Sequence, residues 1–225
     1  MHPLPGIADP FSSLSHFAGA AVFLLLTPCL LLRGRGQTTR VVALAIFSAS
    51  VLLVLGTSGV YHLLDPRQEA RSLWQRLDHA AIFVLIAASF TPVHWILFQG
   101  IERWGVLAGI WSVAAAAIVF KATFFQSMPE AVSTGIYLGM GWLGLGSGVL
   151  LARRYGVPFV QPMLWGGLAY TSGAVLELVR WPIVVRGVIE AHEVFHVAVL
   201  MGIAWHWAFI YSIADGKVAA RNLAA

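Results

Sequence analysis

The sequence predicts an all-α integral membrane protein, one bundle of seven transmembrane helices occupying residues 1–225. Three observations carry that prediction. The chain is 59% apolar and only 11% charged, with a mean hydropathy of +0.80; a soluble domain is about a quarter charged. Seven apolar runs approach the roughly 20 residues that a membrane-crossing helix needs. The stretches between those runs are short and charged, too short to hold a soluble domain.

The runs lie at about 14–32, 41–64, 77–98, 104–125, 131–152, 158–179 and 189–213. The first resembles a secretory signal in position only. No Lys or Arg precedes Arg33 and no small-residue cleavage site follows, so it is read as the first span. The separators are RGRGQTTR (33–40), DPRQEAR (65–71), IER (101–103), RRYG (153–156) and RWPIVVRG (180–187). In the fifth span, GIYLG (135–139) and GLGSG (144–148) place small residues at a spacing that lets helix backbones approach, so close packing is expected there. Trp74, Trp104 and Trp181 sit near span ends, as an interfacial belt requires.

Charge excludes several classes. The net charge of +4 comes from 14 Lys and Arg against 10 Asp and Glu. These charges sit mostly in the separators and form no dense basic face, so no nucleic-acid partner is expected. The lone Cys29 lies in an apolar run, which excludes a disulfide framework and a cysteine metal cluster. On the side of the bundle that holds the N-terminus lie Arg67, Arg71, Arg76, Lys121, Arg180 and Arg186. The other eight, Arg33, Arg35, Arg40, Arg103, Arg153, Arg154, Lys217 and Arg221, lie opposite. The positive-inside rule then leans towards a C-terminus inside, in a multi-pass protein of the plasma (cell inner) membrane.

Polar residues inside the spans are costly in lipid and point to function. Odd-numbered spans start on the N-terminal side and even-numbered spans end there. His62 closes span 2, Asp78 and His79 open span 3, Glu177 ends span 6, and His192 and His196 open span 7. All fall at one depth, near the N-terminal-side face. Residues four apart on a helix face one way, so His192 and His196 converge, as do Ser58 and His62. Three neutral imidazoles from two helices suit Zn²⁺ with a fourth position open, an intramembrane zinc site. Asp78 is then the candidate general base or water-orienting carboxylate. Ser58, one turn deeper than His62, would donate to a substrate oxygen or orient Asp78. Alternatively, Asp78 is a charge at the start of helix 3, stabilised by the helix dipole.

The segments "SGVYH", "LDHAAIFVLIAASFTP" and "HEVFHVAVLMGIAWH" together resemble the hemolysin III family. That family belongs to the group that also holds the progestin and adiponectin receptors (PAQR) and the alkaline ceramidases. The resemblance covers nearly the whole chain, with Ser-x3-His, Asp and His-x3-His falling on Ser58, His62, Asp78, His192 and His196. It implies zinc at His62, His192 and His196, and hydrolysis of an amide bond in a membrane lipid, as in the ceramidase branch. The N-terminal segment "ADPFSSLSHFAGA" departs from the family pattern by lacking its Glu and Asn. His206 matches a further family histidine, but ten residues of helix put it about 15 Å beyond His196, too far to share a metal.

Other readings compete. "HEVFH" satisfies the H-E-x-x-H pattern of a metalloprotease, with Glu193 as base and Asp65 or Asp78 as third ligand. Two haems could be held by His79 with His192 and His94 with His206. A receptor or membrane-homeostasis regulator would carry the same zinc as a structural ion. In the hydrolase reading Glu193 is an interfacial carboxylate. No polar stripe runs the length of any span, which weighs against a wide pore.

Overall fold

The computed structural model describes residues 7–218. Lipid offers no partner to backbone N–H and C=O groups, so apolar runs of this length resolve as helices. The described residues form α1 (Pro10–Arg33), α2 (Thr38–Leu63), α3 (Ala70–Leu97), α4 (Gly100–Thr123), α5 (Glu130–Trp142), α6 (Gly144–Tyr155), α7 (Val157–Leu178) and α8 (Ala191–Ile213). α5 and α6 follow one another as a single passage, so the bundle has seven. Six passages are long and apolar enough to cross a membrane. The remaining one, α7, is not among those six; it carries Pro158, Gln161, Pro162 and Glu177. Large apolar side chains such as Leu25 and Ile101 face outward, 76% and 82% exposed, which suits a lipid solvent. The chain is an all-α, multi-pass membrane protein.

α1 packs on α2 and α8, α2 on α3, α3 on α4, and α7 on α8; α3 also reaches α5 and α8. The larger core draws Phe47 and Leu55 from α2, Leu85 from α3, and Ile203 and Phe209 from α8. A smaller one joins Phe83, Ile110 and Met140 across α3, α4 and α5. α3 therefore belongs to both halves, from Ala81 and Phe83 onward.

Three features differ from the sequence reading. The fifth span is broken at Leu143, within the glycine-dense stretch GMGWLGLGSG; glycine weakens a helix interior by about 0.5–1 kcal/mol each. Most of its glycines do not mediate close packing: Gly135, Gly139, Gly141, Gly146 and Gly148 face open space, while a Cβ on Gly144 would lie 3.1 Å from Phe90. Close approach belongs to α7 and α8, where a Cβ on Gly166, Gly173 or Gly202 would strike His206, Ala198 or Tyr170. Finally, α3 starts at Ala70, well before its apolar run. The preceding residues, ARSLWQR, are good helix formers that hydropathy does not register.

Candidate metal centre

Two helix ends create the site. His62 is the next-to-last residue of α2, and His192 the second residue of α8. A capping box starts α8: the Glu190 side chain takes the Glu193 backbone N–H, and Glu193 Oε2 accepts from the Glu190 N–H at 3.0 Å. This sets the first turn of α8, from which His192 and His196 face one way. His192 Nε2 lies 3.3 Å from His62 Nε2 and 3.1 Å from His196 Nε2. One ring nitrogen from each of the three lies within 4.8 Å of the others.

That spacing fits a metal ion. Nitrogens bound at about 2.0–2.1 Å at tetrahedral angles lie about 3.3 Å apart. The outer nitrogens support the fit. His62 Nδ1 donates to Asp9 Oδ2 at 3.0 Å, and His192 Nδ1 donates to Glu177 Oε1 at 3.3 Å. A proton held at Nδ1 leaves the Nε2 lone pair free to ligate. The carboxylates are themselves held: Arg71 Nη2 reaches Asp9 Oδ2 at 3.1 Å, and Arg180 Nη1 reaches Glu177 Oε1 at 3.0 Å. Asp9 lies before α1. Burial works against its charge, but the bond and charge of His62 and the Arg71 guanidinium outweigh that and hold its carboxyl below the ordinary value.

Residues 7–207 match the family described as Haemolysin-III related. The chain belongs to that family. It is 32% identical over 169 residues to "Hemolysin-3" of Bacillus cereus, covering 75% of this chain and 74% of that protein. It is 32% identical over 170 residues to "Hemolysin-3 homolog" of Bacillus subtilis, 75% of this chain and 76% of that one. Similarity extends to plants. "Heptahelical transmembrane protein ADIPOR1" of Oryza sativa is 29% identical over 182 residues, which are 72% of this chain and 47% of that longer protein.

The other expected residues fall as follows. Ser58 is buried, one turn below His62. Asp78 lies within electrostatic range of His192 and of Tyr137. It sits eight residues inside α3, so the helix-dipole explanation fails, because that effect is spent within the first turn. Glu193 is not an interfacial carboxylate. It is 1% exposed, caps α8 and accepts from Ser12 Oγ at 3.2 Å. Those bonds occupy the base that a metalloprotease would need. Asp65, that reading's other ligand, is exposed and binds the Arg67 N–H.

The haem pairs do not form. His94 is tied to the Glu102 carbonyl and to Ser147, and His206 donates to the Gly202 carbonyl of its own helix. His79 meets the Tyr137 hydroxyl at 3.2 Å. His94 has both ring nitrogens occupied, and His192 spends Nδ1 on Glu177 and turns Nε2 to His62 and His196, so each pair lacks one free axial nitrogen.

α1 supplies what the sequence reading missed. Besides Asp9, it places Ser12 on Glu193 and Ser13 on the Gly59 carbonyl. His16 is 3% exposed and lies against the His196 ring, with centroids 4.0 Å apart. The signal was present. Span 1 is odd-numbered, so its first residues share the depth of Asp78 and His192 by the same topological rule.

Proposed function

We propose that His62, His192 and His196 hold a zinc ion, and that the site hydrolyses an amide bond in a membrane lipid within the cell's inner membrane. The observation that carries this reading is the convergence of three imidazole Nε2 atoms beside a carboxylate, Asp78, that is not one of the ligating groups. A bound zinc would supply Lewis acidity, polarising a carbonyl and making water more acidic.

The chain's own residues do the rest. Asp9 and Glu177 orient two of the imidazoles. Ser58 fixes the direction of the Asp78 carboxylate. Asp78 accepts the proton of the attacking water and later returns it to the leaving amine. The apolar flanks of the helices admit the acyl chains laterally, with the polar linkage at the depth of the histidines.

The test is a panel of lipid amides and esters offered to purified protein, with and without chelator. Asp78→Asn preserves shape and removes the basic oxygen. It is expected to retain zinc and lose turnover by about 10²–10⁴-fold, the usual worth of a positioned general base. Glu193→Gln should act on stability instead, because Glu193 is an α8 cap; caps are worth about 0.5–2 kcal/mol. Turnover abolished by Glu193→Gln and untouched by Asp78→Asn would overturn the assignment of the base. Absence of turnover in every variant, with zinc retained, would favour the regulator with a structural ion.

A further inference from the structure

A second polar cluster lies beside the metal centre, and nothing above uses it. Its hub is Phe125, in the loop that follows α4. Three basic side chains pack on that one ring: the Arg76 guanidinium at 4.8 Å, the Lys121 ammonium at 5.0 Å and the His79 ring at 5.3 Å from its centroid. Lys121 is only 7% exposed although it carries an ammonium group near the end of a membrane-spanning helix. Its Nζ meets Ser133 Oγ at 2.6 Å, one acceptor for three N–H donors. Arg76 uses Nη1 on the Ala122 carbonyl. Among the described residues none of the three basic groups forms an ion pair. Glu130, the carboxylate in electrostatic range of Lys121, is committed to Arg180.

Cations within membrane spans are normally paired, because an uncompensated charge there is costly. Here Arg76 and Lys121 meet aromatic faces, a hydroxyl and a carbonyl, and among the described residues neither is ion-paired. The surroundings are apolar and exposed: Leu73 and Leu77 on α3, Phe120 and Phe124 at the end of α4, each 41–57% exposed. Basic donors edged by outward apolar side chains, at the membrane end of three helices, match a phosphate headgroup with acyl chains below it.

We propose that Arg76 and Lys121 bind the phosphate of an anionic membrane lipid, with the Phe125 ring holding the two cations in place. This site is separate from the three histidines, so it stands or falls independently of the hydrolase reading.

The experiment uses the full chain in a neutral detergent. Binding of phosphatidylglycerol is measured by native mass spectrometry, beside diacylglycerol, which lacks the phosphate, and inorganic phosphate, which lacks the chains. A monodisperse gel-filtration peak and wild-type helix content by circular dichroism report that each variant is folded. Phosphatidylglycerol is expected to bind, more weakly as salt rises, while diacylglycerol and inorganic phosphate do not. Lys121→Met and Arg76→Gln should each weaken binding by about tenfold or more, the loss of a charge-assisted hydrogen bond. Lys121→Arg should restore it. Arg76 is exposed, so Arg76→Gln decides the matter if Lys121→Met does not fold. Unchanged phosphatidylglycerol binding in Arg76→Gln would overturn the proposal. So would inorganic phosphate binding as tightly as the lipid, which would assign the cations to a soluble anion.

Discussion

Replacing Asp9 with Ala tests whether a residue outside the three histidines governs the metal. Asp9 Oδ2 accepts from His62 Nδ1 at 3.0 Å and from Arg71 Nη2 at 3.1 Å. Alanine removes both bonds. His62 loses the partner that keeps its proton on Nδ1, and Arg71 loses its only carboxylate among the described residues. Removing an outer partner of a metal ligand costs about 10–100-fold in metal affinity, or about 1.4–2.7 kcal/mol. The upper part of that range is expected, because the His62 side chain is 5% exposed and water has little room to replace the carboxylate. Asp9→Asn keeps one acceptor oxygen for His62 and should fall nearer the lower end. The assay is zinc titration against a competing chelator at neutral pH. Asp9→Ala binding zinc as tightly as wild type would refute the reasoning.

The same residue separates two effects of acid. Its carboxyl is held below the ordinary value of 3.8. A depressed carboxylate contributes stability that is present above its unfolded pKa and is lost as pH falls through the lower folded value. Metal ligands must be deprotonated, so acid also competes with zinc for the three imidazole nitrogens. Zinc should therefore be lost as pH falls, in a step distinct from the loss of the Asp9 contribution to folding. Metal content and thermal unfolding followed across the pH range would register the two losses separately.

Two further outcomes are expected. Alanine at His62, His192 or His196 should each strip the zinc, measured as about one ion per wild-type chain, whereas His206→Ala should leave it bound, since His206 donates within its own helix; stoichiometric zinc in the double variant H192A/H196A would refute the centre. Gly173→Leu should lower the unfolding temperature, because a Cβ there already meets Ala198 and overpacking costs about 1–3 kcal/mol. Gly139→Ala should leave that temperature unchanged or raise it, since the space beside Gly139 is open.

Much of the molecule is legible in the residues themselves. Backbone hydrogen bonds have no alternative partner in lipid, so apolar runs of this length form helices. Alternating direction then fixes which helix ends share a face. His62 and His192 are 130 positions apart in sequence, and this rule brings their ends of α2 and α8 to one level. The i, i+4 spacing of His192 and His196 fixes their common direction. None of this requires side-chain detail.

Lateral placement was decided by tertiary structure alone. Hydropathy says that a run crosses the membrane but not which face meets which neighbour, because every flank of such a run is apolar. The glycines of GIYLG and GLGSG look like a packing face, yet all but Gly144 line open space, and close contacts fall instead at Gly166, Gly173 and Gly202 on α7 and α8. Glu193 looked interfacial from its position near a helix start. Only the docking of α1, with Ser12 on its carboxylate, buries it. Asp9 and His16 share the right depth by topology, but what they touch depends on α1 lying between α2 and α8. Sequence determines depth, because depth follows from counting residues along a helix of fixed rise. Azimuth follows from the packing of whole helices against one another, a property that no single segment carries.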